Sequence, residues 1–437
     1  MEPTYAYRAA LSRRGLFLLI AVPLIGWGQM AQPHAPSAHH AASADFSVSS
    51  HEGENTSGND LGSCGVRRVT SLPGSGEFAS DFIEAIASDP DPRAKDFDVI
   101  WALTSDLAED VPFAERAMYI SKSTDGGATW AEAARLDSRY FDAEIGEGLR
   151  NGLKVSPGGR SFVITTQLGA FEVVPRRGSS EALVKAIAGP RVPASRPAVQ
   201  IAKRSGDPVR ANAVEMTADG THLIVGYGYF DLEPQILSYH RGKDGSWIKD
   251  GPLPRFPTDM DILSMQFDDS GRANPRYLYV GTGDQAYVLD LRARKWGRID
   301  GVEPDSAIHG MSMVGGLHLA ACWAIYLPVS PRTVRRVTDA RFIFHRGTDE
   351  AGANIRAYSI DVDRSKPKRE VVTSLTGVYV SDDSGESWRR LSGLPEEEFR
   401  TSHFNSDGSV LVSGIAGTFL VNPFSDACLP RLKVRDK

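Results

Sequence analysis

The sequence of 437 residues lacks the short motifs that mark most cofactor-dependent and metal-dependent enzymes. It contains no P-loop, no HExxH motif and no CxxC motif, and its GTGD segment at 281–284 reads as a turn at a strand end, not as a dinucleotide-binding loop. We therefore expect no cofactor and no bound metal. The net charge of −6 also excludes a general basic field for nucleic acid or an anionic membrane, although a local basic patch stays open.

Long apolar runs are absent except near the N-terminus. The run Gly15–Trp27 has 13 residues, which is too short to span a membrane comfortably, and Pro23 interrupts it. Because Arg8, Arg13 and Arg14 precede this run, we expect residues 1–31 to be an export signal of the Sec or the twin-arginine type. The expected location is the periplasm or the cell exterior, with no stable membrane span after signal removal.

Residues 32–62 show no hydrophobic period. They are small and polar, so we expect a disordered linker between the signal and the folded part. The whole chain is 41% hydrophobic and 24% charged, which is an ordinary globular composition, and its 42 glycines suit a fold with many tight turns. We assign the folded domain to residues 63–430 and a short C-terminal tail to residues 431–437.

One eight-residue pattern occurs twice. Residues 123–130 read STDGGATW, residues 381–388 read SDDSGESW, and each copy follows a short apolar strand. Ser and Asp side chains accept hydrogen bonds from nearby backbone N–H groups, Gly permits a positive φ, and Trp buries a large ring under the turn. The pattern predicts two tight hairpin turns whose shared residues are structural: Ser123, Asp125, Gly127, Trp130, Ser381, Asp383, Gly385 and Trp388.

The pattern resembles the Asp-box, or BNR repeat, of β-propeller proteins, a superfamily that includes the sialidases. The resemblance implies an all-β fold in which each box lies at the periphery of a blade, away from the central pocket. Asp125 and Asp383 are accordingly interpreted as structural residues and not as catalytic ones. The specific matches cover only the two boxes, and the remainder of the domain shows a weaker periodicity.

A unit of roughly 45–50 residues recurs along the domain, which is the length of a four-stranded propeller blade. Each unit contains a polar residue, an apolar strand, a turn with glycine and a second apolar strand, and Trp247 and Trp296 stand 49 residues apart. We predict seven antiparallel blades, with six or eight as alternatives. The last unit shows only three strands, so we expect residues 64–70 to supply its outer strand and cover the open edge.

Cysteine is scarce, with three residues in the chain. A closed propeller brings its two ends together, so a disulfide between Cys64 and Cys428 is geometrically plausible and export would permit it. Cys322 lies in the apolar segment LHLAACW and is interpreted as a buried thiol.

Polar residues stand at the start of five predicted inner strands. In propellers these strands begin at one face of the central channel, a rule that comes from the resemblance. The residues expected around the channel entrance are Arg150, Arg210, Asp261, His309 and Arg400, with their neighbours Asn151, Asn212, Asp259, His403 and Asp81. Three guanidinium groups would suit a carboxylate or sulfate ligand. The alternative is a structural network of ion pairs across the channel.

Sialidases hold the carboxylate of their sugar with three arginines, so the resemblance also makes a glycosidase an alternative function. In that reading Arg150, Arg210 and Arg400 would hold the carboxylate, and Asp261 is a weak candidate for the acid. The Phe/Tyr-Arg-Ile-Pro motif of the sialidases is missing, and the acidic stretch Glu396–Glu398 reads as a solvated loop. No spacing selects a Tyr nucleophile with its Glu partner from the candidates Tyr227, Tyr229, Tyr279, Glu215 and Glu233.

The leading interpretation is a monomeric, exported, non-catalytic module that binds a glycan or a protein through its funnel face and does not bind nucleic acid. A glycosidase or lyase that acts on an acidic sugar is one alternative. An assembly factor for an envelope complex, like some other Asp-box proteins, is another. The fold does not choose among these functions, because propellers serve many of them.

Overall fold

The computed structural model describes residues 65–70, 72–73, 83–88, 99–105, 116–141, 152–176, 179, 181–191, 209–229, 232–268, 273–322, 324–337 and 356–425. These residues form seven four-stranded antiparallel sheets and contain no α-helix, which confirms the predicted seven-bladed β-propeller. Within the same ranges, no helix has the length and hydrophobicity needed to cross a membrane. The expected signal, linker, Cys64–Cys428 disulfide and C-terminal tail, and the candidate Arg150, lie outside the described residues.

Strand β1 (Arg67–Val69) belongs to the last blade, and the other strands follow in chain order from the innermost to the outermost strand of each blade. The first three blades comprise β2 (Ile83–Ser88), β3 (Ile100–Ser105), β4 (Ala117–Ser123) and β5 (Ala131–Asp137); β6 (Leu153–Val155), β7 (Phe162–Thr166), β8 (Gly169–Val174) and β9 (Leu183–Ala186); and β10 (Ala211–Met216), β11 (His222–Tyr229), β12 (Leu232–Arg241) and β13 (Trp247–Lys249).

The fourth to sixth blades have the same order. They comprise β14 (Ile262–Phe267), β15 (Tyr277–Thr282), β16 (Ala286–Asp290) and β17 (Lys295–Arg298); β18 (Ile308–Ser312), β19 (His318–Ala321), β20 (Ile325–Ser330) and β21 (Thr333–Arg336); and β22 (Ala357–Val362), β23 (Glu370–Ser374), β24 (Gly377–Ser381) and β25 (Arg389–Arg390). The seventh blade comprises β26 (Phe399–Phe404), β27 (Val410–Gly414) and β28 (Gly417–Val421), with β1 on its outer edge.

The central strands of the blades are apolar because both faces of each sheet are covered by neighbouring blades. All six residues of β3 (IWALTS) are buried, and β7, β23 and β27 are buried along their whole length. One apolar cluster joins Leu103 and Ile120 of the first blade to Phe162 and Ile164 of the second. The core is therefore divided into layers between adjacent blades, and burial of this apolar surface drives their association.

The ring is closed by the pairing of β1 with β28. Arg68 lies opposite Phe419 in this antiparallel pair, as expected from the missing outer strand of the last unit. At the inner end of the same joint, the N–H of Ile83 donates to Ser413 Oγ at 2.8 Å, and Thr401 Oγ1 donates to the carbonyl of Ile83 at 3.4 Å. Backbone pairing and side-chain hydrogen bonds thus connect the first and seventh blades.

Six of the seven inner strands begin with a β-bulge at an equivalent position. The residue after the bulge is small in every one, and Gly152 occupies the corresponding register position opposite Thr165 in the second blade. The reason is close approach of adjacent inner strands: a Cβ on Gly310 would lie 2.7 Å from the carbonyl oxygen of Tyr358. The full set is Ala85, Gly152, Ala213, Ser264, Gly310, Ser359 and Thr401.

The two repeated turns use the same hydrogen bonds. Ser123 Oγ donates to Asp125 Oδ1 and accepts from the N–H of Gly127, both at 2.8 Å, and Trp130 Nε1 donates to the Gly127 carbonyl at 3.0 Å. Thr129 donates to Asp125 through its N–H and its hydroxyl. Burial raises the pKa of Asp125, but the hydrogen bonds from Thr129, Ser123 and Ala128 outweigh it and hold that pKa below its usual value.

The second turn repeats each of these contacts. Ser381 Oγ donates to Asp383 Oδ1 at 2.8 Å and accepts from Gly385 N–H at 2.9 Å, and Trp388 Nε1 donates to the Gly385 carbonyl at 3.0 Å. Both glycines have positive φ, 91° for Gly127 and 77° for Gly385. The Ser, Asp and Trp side chains of both turns thus have hydrogen-bond partners within the turn.

The variant Gly127→Ala should destabilise the fold. Its φ of 91° suits glycine, and an added Cβ would lie 2.9 Å from the buried Leu411 of the neighbouring blade. We expect a loss of about 2–4 kcal/mol in urea unfolding. Gly158→Ala is the matched control, because Gly158 also has positive φ (72°) but an added Cβ meets no atom within 4 Å. Equal losses for the two variants would contradict the packing argument.

Candidate functional site

The residues that precede the inner strands form one set defined by the backbone. In five blades the carbonyl of the residue two positions before the bulged residue accepts a hydrogen bond at 2.9–3.2 Å. The donor is an N–H at the end of the second strand or directly after it. These carbonyls lie at the end of the channel where the inner strands begin. We call this set the rim level, and its members are Arg210, Asp261, Ala307, Arg356 and Glu398.

The bulged residues form a second set two positions further along each strand. We call it the bulge level, and its members are Glu84, Asn212, Leu263, His309, Tyr358 and Arg400. The sequence reasoning treated Arg210, Asp261, His309 and Arg400 as equivalent. The structure places the first two at the rim level and the last two at the bulge level, because the apolar pattern alone does not reveal where a bulge inserts its extra residue.

Five polar or aromatic residues of the fifth, sixth and seventh blades are in contact, and we call them the entrance cluster: Cys322, His309, Tyr358, Arg400 and Glu398. His309 Nε2 lies 3.0 Å from Cys322 Sγ, and the rings of His309 and Tyr358 are 5.9 Å apart. The Arg400 guanidinium lies 5.9 Å from the centre of the Tyr358 ring. The same guanidinium forms an ion pair with Glu398, which is largely buried. Two of the predicted residues, His309 and Arg400, are therefore joined through Tyr358.

Arg210 and Asp261 lie on either side of Gly228 in the third and fourth blades. The carbonyl of Arg210 accepts from the N–H of Gly228 at 3.1 Å, and a Cβ on Gly228 would lie 3.4 Å from Asp261 Oδ1. Asn212 Nδ2 donates to the Gly228 carbonyl at 3.0 Å. This hydrogen bond joins Asn212 of the bulge level to the second strand of its own blade.

A further polar layer lies deeper along the inner strands. Lys154 of β6 pairs with Glu215 of β10 at 2.7 Å, and Asp361 of β22 accepts from the N–H of Phe404 at 2.9 Å. Desolvation raises the pKa of the buried Glu215, although the charge and hydrogen bond of Lys154 act in the opposite direction. Glu215 was a candidate for the catalytic glutamate. It lies between two blades, where its partner is Lys154.

The tyrosines considered as nucleophiles are buried among other blade residues. Tyr227 donates to or accepts from Tyr239 at 3.1 Å between the two hydroxyls, and Tyr279 donates to the Pro331 carbonyl at 3.0 Å. Desolvation raises the pKa of Tyr227 well above its usual value and that of Tyr279 to about 12. Neither hydroxyl has a glutamate among these hydrogen-bond partners, and the side chain of Tyr229 lies outside the described part of the chain.

Sequence reasoning missed Arg356, Tyr358 and Glu398. The sixth unit has an irregular sequence before β22, which hid Arg356 and Tyr358, and the stretch Glu396–Glu398 was interpreted as a solvated loop. Glu396 and Glu397 are exposed, but Glu398 is largely buried against Arg400. The useful signal was the place of Glu398 directly before the inner strand β26. No group of three or more potential metal ligands occurs in the described ranges.

Comparison with known proteins identifies no family for this chain. No protein-family model matches the sequence, and no curated protein matches it. Similar solved structures include a GH74 enzyme from Niastella koreensis, with a TM-score of 0.49, 16% identity and coverage of 77% of this chain and 51% of that one.

Two others are the extracellular domains of the putative hybrid two component systems BT4673 and BT3049 from B. thetaiotaomicron. Each has a TM-score of 0.49, with 11% and 12% identity, 81% and 82% coverage of this chain, and 39% and 42% of the other chain. The chain thus spans about half of the GH74 enzyme and less than half of the other two structures.

Alkaline pH should weaken the fold through the tyrosine pair of the third blade. Burial raises the pKa of Tyr239 to about 12, so the folded state favours the neutral phenol. This stabilisation is complete below the pKa of an exposed tyrosine near 10 and is lost as the pH rises through 12. In urea unfolding between about pH 8 and pH 12, Tyr239→Phe should lose less stability than the unaltered protein. The same slope in both proteins would contradict this expectation.

Proposed function

We propose that this propeller is an exported, non-catalytic binding module that contacts a glycan or a protein through the face where its inner strands begin. The observation that carries the proposal is the ion pair between Arg400 and Glu398 at that face. A side chain already neutralised by a neighbouring carboxylate positions partners through its shape and hydrogen bonds more than through net charge. The entrance cluster therefore suits recognition of a surface better than capture of an isolated anion.

The glycosidase alternative has less support. It requires two nearby carboxyl groups, one of them with a raised pKa, within reach of a ligand. Glu215 has a raised pKa, but it is buried and pairs with Lys154. Arg400, which would help to hold the sugar carboxylate, has Glu398 as its ion-pair partner. Asp261 stays a candidate acid only in that alternative.

Two exposed apolar side chains favour a binding surface at this face. Ile415 is 63% exposed, and its N–H donates to the Glu398 carbonyl at 2.9 Å. Met260 is 41% exposed and directly precedes Asp261. Large apolar groups beside a polar cluster suit contact with a protein partner or with the apolar face of a sugar. The assembly-factor alternative would use the same kind of contact with a protein of the cell envelope.

Export is the other part of the proposal. It rests on the basic start and the short apolar run in residues 1–31, followed by the polar stretch at 32–62. We also propose that the protein is a monomer and that it does not bind nucleic acid. The net charge of −6 provides no basic field for nucleic acid.

Binding to a panel of acidic and neutral oligosaccharides tests the proposal by calorimetry and by thermal shift, with product analysis of each mixture. We expect a ligand to bind without being cleaved and Arg400→Ala to weaken its binding about tenfold or more, because the cluster loses its ion pair and its contact with Tyr358. Arg335→Ala is the matched control, since Arg335 also pairs with a glutamate, Glu386, but lies on an outermost strand.

Three results would change the conclusion in different ways. Release of a sugar product would replace the binding module by the glycosidase alternative. Equal weakening by Arg400→Ala and Arg335→Ala would remove the entrance as the site of binding. Absence of binding to every oligosaccharide would eliminate the glycan half of the proposal and leave a protein partner.

A further inference from the structure

The entrance cluster contains a thiol and an imidazole in direct contact. His309 Nε2 lies 3.0 Å from Cys322 Sγ, and Cys322 is not part of a disulfide. Both residues are 9% exposed at the end of the channel where the inner strands begin. A nucleophile and a base within hydrogen-bond distance are the basic arrangement of an activated cysteine.

Both members of the pair are held by the backbone of the propeller. The N–H of Cys322 donates to the Ala307 carbonyl at 3.0 Å, and the Cys322 carbonyl accepts from the N–H of Arg356 at 3.0 Å. His309 is the bulged residue of β18, and its ring lies against Tyr358. Because rigid elements position the sulfur and the imidazole, their contact does not depend on a loop that must close.

The nearby charges are compatible with a thiolate. Arg356 is joined to Cys322 through the backbone, and the Arg400 guanidinium lies over the Tyr358 ring next to His309. Of the acidic residues at this end of the channel, Glu398 pairs with Arg400, and Asp261 belongs to the rim level of the preceding blade. Most buried cysteines in apolar surroundings are inert, and the imidazole is what distinguishes this one.

We propose that Cys322 is a site of covalent modification by small electrophiles and that His309 acts as its base. The imidazole takes the thiol proton, and the sulfur attacks the electrophilic carbon. With iodoacetamide, the S–C bond forms while the C–I bond breaks, iodide leaves and the proton passes from His309 to solvent. No oxidant or reductant takes part. This reactivity is independent of whether the same face also binds a glycan or a protein.

The test is the rate of alkylation of Cys322 in the native, full-length protein. The protein is treated with iodoacetamide near neutral pH, and modification of the peptide that contains Cys322 is followed by mass spectrometry. We expect Cys322 of the His309→Asn variant to react at about one tenth of the unaltered rate or below, because the amide cannot take the proton. His318→Asn is the matched control, because His318 is a second buried histidine of the fifth blade, and its partners are the Gly316 carbonyl and Glu370. This variant should react at the unaltered rate.

Two outcomes would overturn the proposal. One is a His309→Asn variant that reacts as fast as the unaltered protein or faster. That result is expected if His309 has only a structural role, because its loss would loosen the packing around Cys322 and expose the thiol. The other is a Cys322 that reacts in the native state far more slowly than in urea. If His309→Asn does not fold, this second comparison decides alone: at 9% exposure an ordinary thiol should be strongly protected, so a native rate equal to or above the unfolded rate supports activation.

Discussion

The propeller depends on the joint between its first and seventh blades. Six contacts between neighbouring blades follow from the order of the chain, but the seventh must be made by parts far apart in sequence. Strand β1 closes it on the outside by pairing with β28, and Ile83 closes it at the hub through Ser413 and Thr401. Asn405 Nδ2 also donates to the Gly126 carbonyl at 2.8 Å, so the repeated turn of the first blade takes part in the closure. An open seventh blade would expose a strand edge and leave the inner strands without a fixed circumference.

The spacing of the inner strands around the channel also determines where functional side chains can lie. Adjacent inner strands approach closely, and the positions after the bulge therefore carry only small residues, as Gly310 against Tyr358 and Ser264 against Ile308 illustrate. A large side chain cannot occupy these positions without separating two blades. The bulge provides a place one residue earlier, where His309, Tyr358 and Arg400 are accommodated. Packing and the candidate site are consequently specified by consecutive residues of one strand.

Periodic features of the sequence predicted the blades, the repeated turns and the closing strand, because each depends on local pattern and chain length. The Ser, Asp, Gly and Trp of each turn satisfy one another within eight residues, so the motif alone was sufficient. The entrance cluster depends on contacts between blades and was only partly predictable. His309 and Arg400 were recognised as polar starts of strands, but the contact of His309 with Cys322 joins a strand to the turn after its neighbour. Neither the residue types nor their spacing in the sequence predicts the 3.0 Å contact between His309 Nε2 and Cys322 Sγ.

The interface between the fifth and sixth blades differs from an ordinary apolar layer. In the first blade, Ile100 lies opposite Ser123 of the repeated turn, whereas in the sixth blade the equivalent position opposite Ser381 is Glu370. His318 of the fifth blade lies 3.4 Å from this buried carboxylate, and His309 of the same blade contacts Tyr358 of the sixth. Buried pairs of this kind often stabilise a fold no more than apolar residues of similar size, and Ile100 demonstrates that an apolar residue fits the position. Stability alone therefore gives no reason for two histidines at one interface, and their chemistry is a better explanation for at least the one that meets Cys322.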